Sequence, residues 1–370
     1  MNRTPGQAIN SRLDTLPVGG MMVCLLPSHA GPETWNRQER AAMVMTPREI
    51  ILANGTHDHP ERIGLTFSGS RMNDMTGAGM GPSQTFQQKR WTEGSREYYD
   101  DEWGNIWVRM IDGSQSGEVH DPAIKDWSQL DTLKLPDYDN PRRFDGAREA
   151  FARPTDKFKL FFIPGWVFAT SRYLRKMEVY LVDLIEYPGE IHRLHEIVTN
   201  LLVKAVHLAA DAGSEGIFYC EDLGVQDRLL IGPPMWREMF RPHYERLTAT
   251  AHEHGMKVFM HSCGYNWDLI DDLVEAGIDC LQFDQPAAYD LPALAAKLRR
   301  HKVALWSPVD IQQVLPTGDR KLIEREARRM VETFRGGLIM KDYPDLAGIG
   351  VKPEWDLWAY HAILAADGIA

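Results

Sequence analysis

Gly216-Ile217-Phe218-Tyr219-Cys220-Glu221-Asp222-Leu223-Gly224 and, one helix later, Lys257-Val258-Phe259-Met260-His261-Ser262-Cys263-Gly264 decide the fold of this chain. Each opens with a short apolar run that does not alternate with polar residues, as a strand covered on both faces reads. Each then breaks into a polar cluster, and an amphipathic helix follows. Working outward, the same unit recurs at Arg62–Phe67, Lys159–Pro164, Ile278–Phe283, Val303–Trp306 and Leu338–Met340. Strands alternating with helices make a parallel sheet. Seven such units in roughly 300 residues predict a closed (β/α)8 TIM-type barrel.

The helices between the runs are legible. Val179–Ala212 carries Ile191, Leu194, Val198, Leu201, Ala205 and Leu208 at helical spacing, with a break at Pro188 and a stop at Gly213. Pro233-Pro234 opens a helix that Pro242 kinks. Asn266 is expected to cap a short helix ending at Gly277, and Asp319 to cap Lys321–Arg335. Tyr98–His120, around Trp103-Gly104-Asn105 and Asp112-Gly113-Ser114, does not fit the alternation. It reads as a β-hairpin inserted after the first strand. Residues 1–44 show no periodicity and read as a loosely ordered N-terminal extension, with Met43 or Met45 as alternative starts. Residues 45–370 read as one barrel domain.

With 41 basic and 52 acidic residues, the net charge is -11, and no basic stripe or tail invites nucleic acid or an anionic membrane. No apolar run reaches the length of a membrane span. Four scattered cysteines do not make a disulfide scaffold, so a reducing, cytoplasmic setting is expected.

Barrel enzymes put their chemistry at the C-terminal ends of the strands. There the chain places Glu221-Asp222, His261-Ser262-Cys263, Asp284-Gln285 and Lys341-Asp342-Tyr343-Pro344-Asp345, with Trp166 and Trp306 at two further strand ends. In His261-x-Cys263 the two residues point the same way, about 6.6 Å apart in extended backbone. They can share one zinc, at about 2.1 Å from nitrogen and about 2.3 Å from sulfur. Glu221 or Asp222 from the neighbouring strand end can supply a third ligand, leaving the fourth position open. Otherwise this pair serves as general acid and base. Trp166, Asp284, Trp306 and Asp342 are the expected substrate-binding residues. The other histidines are read as structural: His57 and His59 in a polar turn, His252 and His254 at a helix end, His192 and His195 on a helix surface. Cys220 and Cys280 are read as core.

Several of these stretches resemble landmarks of the uroporphyrinogen decarboxylase superfamily. They are Tyr99-Asp100-Asp101-Glu102-Trp103-Gly104-Asn105, Pro136-Asp137, Ala212-Gly213-Ser214-Glu215-Gly216, Glu221-Asp222-Leu223-Gly224, His261-Ser262-Cys263-Gly264 and Gly336-Gly337-Leu338. The resemblance spans roughly residues 45 to 365. The Arg-Gln-Ala-Gly-Arg and Phe-Ser-Asp motifs of the true decarboxylases do not occur in the chain. The chain looks more like the branch of corrinoid-dependent methyltransferases, which bind zinc through His-x-Cys and a later cysteine. By that resemblance His261 and Cys263 hold zinc. No cysteine follows Cys280, so an oxygen ligand such as Glu221, Asp342 or Asp345 is required. The resemblance implies methyl transfer between a small substrate and a corrinoid carried on a partner protein. A carboxylate among the ligands hardens the site and favours an O-methyl compound. The alternative enzyme reading is a metal-free decarboxylase or lyase of a small carboxylic acid or porphyrinogen-like substrate. Arg62, Arg71, Arg172 and Arg228 would be its carboxylate clamps. A non-catalytic corrinoid or tetrapyrrole binder is the reading from another class.

Overall fold

The computed structural model of the chain describes residues 45–111 and 117–369. The expected N-terminal extension, residues 1–44, and the expected turn at Asp112-Gly113-Ser114 lie outside the described residues.

Among the described residues, twelve strands form two sheets. They are β1 (Gly64–Thr66), β2 (Met75–Gly79), β3 (Arg90–Glu93), β4 (Arg96–Asp100), β5 (Ile106–Met110), β6 (Glu118–Asp121), β7 (Phe158–Phe162), β8 (Gly216–Cys220), β9 (Lys257–His261), β10 (Cys280–Gln282), β11 (Ala304–Ser307) and β12 (Leu338–Lys341). Eight of them pair in parallel in the order β1-β12-β11-β10-β9-β8-β7-β2, a nearly closed barrel ringed by helices. All seven apolar runs named from the sequence are barrel strands. The seam between β1 and β2 is bridged by Asp74. Its N–H donates to the Leu65 carbonyl at 2.7 Å, and its own carbonyl accepts from Phe158 N–H at 2.9 Å. The Asp74 carboxylate also accepts from Leu65 N–H and from both terminal nitrogens of Arg62.

The sequence reading missed β2. Its segment Met75-Thr76-Gly77-Ala78-Gly79 makes no apolar run, and glycine stands at 77 because a Cβ there would lie 2.6 Å from the Phe162 ring of β7. The insertion is also larger than a hairpin and follows β2, not the first strand. β3 to β6 make a four-stranded antiparallel sheet.

Strand alternation divides the core in two. Phe158, Leu160, Phe259, Cys280, Ala304, Trp306 and Ile339 fill the barrel interior, and the helix Pro47–Thr56 closes its base with Ile51. That helix starts on a reciprocal cap between Thr46 and Glu49. The intervening residues, such as Ile217, Tyr219, Val258, Met260 and Leu281, face the helices.

The helix breaks fall as expected, with Met177–Glu186 followed by Pro188–Asp211, and Pro233–Met239 followed by Arg241–Glu253. Asp319 caps Arg320–Phe334 through Lys321 and Leu322 N–H. Asn266, in contrast, caps nothing. Its amide donates to the Cys263 and Gly264 carbonyls and so braces the loop after β9. No helix among the described residues is long and apolar enough to cross a membrane.

Candidate metal centre

β8 and β9 pair in register, Cys220 beside His261, so the loops leaving them start side by side at the barrel mouth. The loops stay zipped. Glu221 N–H donates to the His261 carbonyl, Leu223 N–H to Ser262 Oγ, and Tyr265 N–H to the Val225 carbonyl. They touch backbone to backbone at Gly224 and Gly264. A Cβ on Gly264 would sit 2.4 Å from Gly224 main-chain atoms, and Gly264 has φ +77°. No side chain fits there.

The contact brings three donor groups together. Ligand atoms of Asp222, His261 and Cys263 all lie within 4.8 Å of one another. His261 Nε2 is 3.2 Å from Asp222 Oδ1 and 3.3 Å from Cys263 Sγ. The Cys263 N–H also donates to Asp222 Oδ1 at 3.1 Å. Asp222 has φ +60°, a left-handed conformation that turns its carboxylate toward the mouth.

The imidazole is held from behind. Nδ1–H donates to Gln282 Oε1 at 2.5 Å, and the Gln282 amide donates to Asp284 Oδ1 at 2.6 Å. Lys341 Nζ lies 3.2 Å from that same oxygen. Fixing the proton on Nδ1 leaves the Nε2 lone pair for an ion, the usual outer support of a metal-bound histidine. Burial alone would lower the His261 pKa, but hydrogen bonds to Asp222 and Cys263 and the charge of Asp284 raise it well above its ordinary value. Asp222 is pulled the other way. Burial raises it, yet His261, Arg172 and the Cys263 N–H together hold its carboxyl well below the usual carboxylate range. Asp222 and Cys263 thus converge on one imidazole nitrogen. A hard carboxylate, a borderline imidazole and a soft thiolate fit zinc and leave its fourth position open.

Glu221 is placed apart from this cluster. It is fully buried on the helix side, where Oε1 accepts from Phe168 N–H at 3.2 Å. Burial pushes its carboxyl up to about 8, against the lowering pull of the Tyr244 hydroxyl and Arg172. Of the two adjacent carboxylates, Asp222 is therefore the one beside His261 and Cys263. Strand parity carried that signal, since Phe218 and Cys220 share Asp222's face of β8.

Other expected site residues divide as well. Trp306 lies in the barrel interior, its indole N–H donating to Thr66 Oγ1, with Lys341 5.8 Å from its ring centroid. Asp284 is 3.8 Å from His261 Nδ1. Trp166 does not line the mouth. It is fully buried behind the strands, stacked on Tyr219 at 3.7 Å. Asp342 is engaged by Ser68 and Arg71, and Arg71 also holds Asp356. Asp345 accepts from Gly348 N–H in its own loop.

The four candidate clamps do not gather. Arg62 serves Asp74, Arg71 serves Asp342 and Asp356, Arg172 serves Asp222, and exposed Arg228 serves its neighbour Asp227.

His57, with Nε2 3.0 Å from the Val303 carbonyl, and His252, paired with Asp279, are structural as expected. His195 is not on the surface. It is fully buried, 2.6 Å from the Tyr180 hydroxyl. Cys280 is core, but Cys220 is open to solvent inside the mouth. The surrounding wall still pushes its thiol up to about 11.

The family described as Uroporphyrinogen decarboxylase (URO-D) has a model that matches residues 105–353, two thirds of the chain. No curated protein matches the sequence. Solved structures that resemble it include a methyltransferase from Methanosarcina mazei, at 15% identity and TM-score 0.53, covering 72% of this chain and 76% of that one. A D-psicose 3-epimerase follows at 8% identity and TM-score 0.37, covering 66% and 86%. At such identities the likeness to the first shows the fold alone, and the second carries no argument.

Proposed function

The chain belongs to the uroporphyrinogen decarboxylase family, and from that premise we propose that it is a methyltransferase. Its barrel mouth would move a methyl group between a small methylated substrate and a corrinoid carried by a partner protein. Zinc would be held by Asp222, His261 and Cys263. The observation that carries this reading is the convergence of those three donors within 4.8 Å at two adjacent strand ends. The similarity of fold to the Methanosarcina mazei methyltransferase supports it.

Zinc, when bound, supplies a Lewis acid for the heteroatom that loses its methyl group. The remaining work belongs to the protein. Asp222 provides the oxygen ligand that the missing later cysteine requires, and its hardness favours an oxygen at the reacting position. Gln282 fixes the His261 tautomer, and Asp284 with Lys341 fixes Gln282. Arg172, 3.2 Å from Asp222 Oδ2, restrains the carboxylate's other oxygen. Trp306 and Phe218 exclude water beneath the reacting atoms. Glu221 would be a neutral, structural acid near pH 7.

The test is metal analysis followed by a spectral assay with a reduced corrinoid protein and a panel of methoxy and methylamino compounds. About one equivalent of zinc and growth of the methylated-corrinoid spectrum with one compound are expected. A metal-free protein that transfers no methyl group from any compound would overturn the reading. The metal-free lyase has no observation in its favour, since its four arginines do not gather.

A further inference from the structure

A cavity of about 460 Å³ opens where the inserted sheet meets the barrel rim. Phe86, Trp103, Trp107, Tyr138 and Tyr173 supply five aromatic rings to its wall. Asp101 and Glu102 supply two carboxylates, and no lysine, arginine or histidine is among the described residues that line it.

The two carboxylates are held differently, Asp101 by neutral donors and Glu102 by a shared cation. Asp101 accepts from Trp103 N–H, Asn105 N–H, the Asn105 amide and the Trp107 indole N–H, four neutral donors that hold its charge in place. Glu102 is paired with Arg143, but Arg143 is shared with Asp137. Glu102 and Asp137 thus share one guanidinium, and Asp101 has no ion pair among the described residues. Arg172, held by Asp222, lies over the Tyr173 ring and Arg143 over the Tyr138 ring, which leaves Phe86, Trp103 and Trp107 as the rings without a guanidinium against them among the described residues. An excess of negative charge behind aromatic faces is the chemistry that recognises an organic ammonium, whose charge the ring quadrupole also attracts.

The cavity is also tied to the metal candidate. The Arg172 guanidinium donates both to the Tyr173 hydroxyl, at 3.0 Å, and to Asp222 Oδ2, at 3.2 Å. One side chain therefore separates the cavity wall from the cluster.

We propose that this cavity binds the ammonium group of a small cationic substrate, whose methyl-bearing end reaches the Asp222–His261–Cys263 cluster. That the bound cation is the methyl donor rests on the methyl-transfer reading above. That the cavity selects an ammonium does not.

The experiment titrates the full-length protein, without corrinoid, with choline and with its neutral carbon isostere 3,3-dimethylbutan-1-ol, following tryptophan fluorescence. Choline binds about tenfold more tightly than the alcohol. Gln88→Lys, at a wall position in the exposed loop before β3, puts a cation into the cavity. It abolishes choline binding and leaves the alcohol's unchanged. Asp101→Asn weakens choline in the same direction, and the lysine variant keeps the test decisive if that turn fails to fold. Equal binding of the two probes, no binding of choline, or choline binding indifferent to Gln88→Lys overturns the proposal. Methyl-transfer activity is measured separately, so a catalytic failure with intact choline selectivity counts only against the methyltransferase reading.

Discussion

Replacing Gly264 with alanine separates the two loops that bring the candidate ligands together. The added Cβ would lie 2.4 Å from Gly224 main-chain atoms, where ordinary contact begins at 3.4 Å. One backbone must therefore retreat by about 1 Å, because neither contact atom is the end of a flexible side chain. Metal–ligand distances tolerate about 0.2 Å. Asp222 rides on one loop and His261 with Cys263 on the other, so a 1 Å separation exceeds the tolerance about fivefold. Zinc affinity is expected to fall by at least the roughly 10- to 100-fold typical of disturbing a ligand's support. Gly255→Ala is the control. Gly255 has φ +71° but nothing within 4 Å of an added Cβ. It carries the left-handed backbone cost, roughly 1–2 kcal/mol, without the collision. Competition against a chromophoric chelator measures affinity, and thermal unfolding measures stability. The reasoning is refuted if Gly264→Ala binds zinc as tightly as the wild type, or if Gly255→Ala loses affinity equally.

His261→Ala should reduce zinc in the purified protein from about one equivalent to near none, as read by elemental analysis. Asp74→Ala keeps the main-chain bonds of the seam but leaves Leu65 N–H and the half-buried Arg62 without their carboxylate, at a cost of about 2–3 kcal/mol. Denaturant unfolding checks this, and a loss under about 1 kcal/mol would contradict the carboxylate's role. Burial lowers the His195 pKa to about 3. As pH falls below the ordinary histidine value, the unfolded chain binds a proton that the native state refuses. Stability is lost in that window at up to about 1.4 kcal/mol per pH unit. The stability advantage of wild type over His195→Gln should therefore shrink between about pH 7.5 and about pH 5 in urea unfolding. A constant gap would count against it.

What the sequence disclosed follows from where each side chain points. Strands buried on both faces write themselves as apolar runs, and that pattern located seven barrel strands. β2 stayed hidden because its glycines leave room for Phe162 and only Met75 of its residues is fully buried, so it writes no apolar run. His261 and Cys263 were legible because one short motif holds both. Choosing between Glu221 and Asp222 needed the facing of β8, which Phe218 and Cys220 encode but which adjacency alone does not. The ammonium cavity was the least accessible feature. Its wall joins residues from Pro82 to Tyr173, and Asp101 and Glu102 were visible only within a family landmark and, with Trp107, within an apparent hairpin.

The left-handed φ of Asp222 has a consequence for which elements the cluster can recruit. Few side chains tolerate that conformation, and aspartate and asparagine lead them because a short polar group can settle against its own main chain. The bend thus screens candidates before coordination chemistry does. A thiol or a longer acid at this position would start from a disfavoured turn, whatever its affinity for the ion. Preference for an oxygen donor here is written into the path of the main chain, and a shift toward softer metals would first have to straighten it.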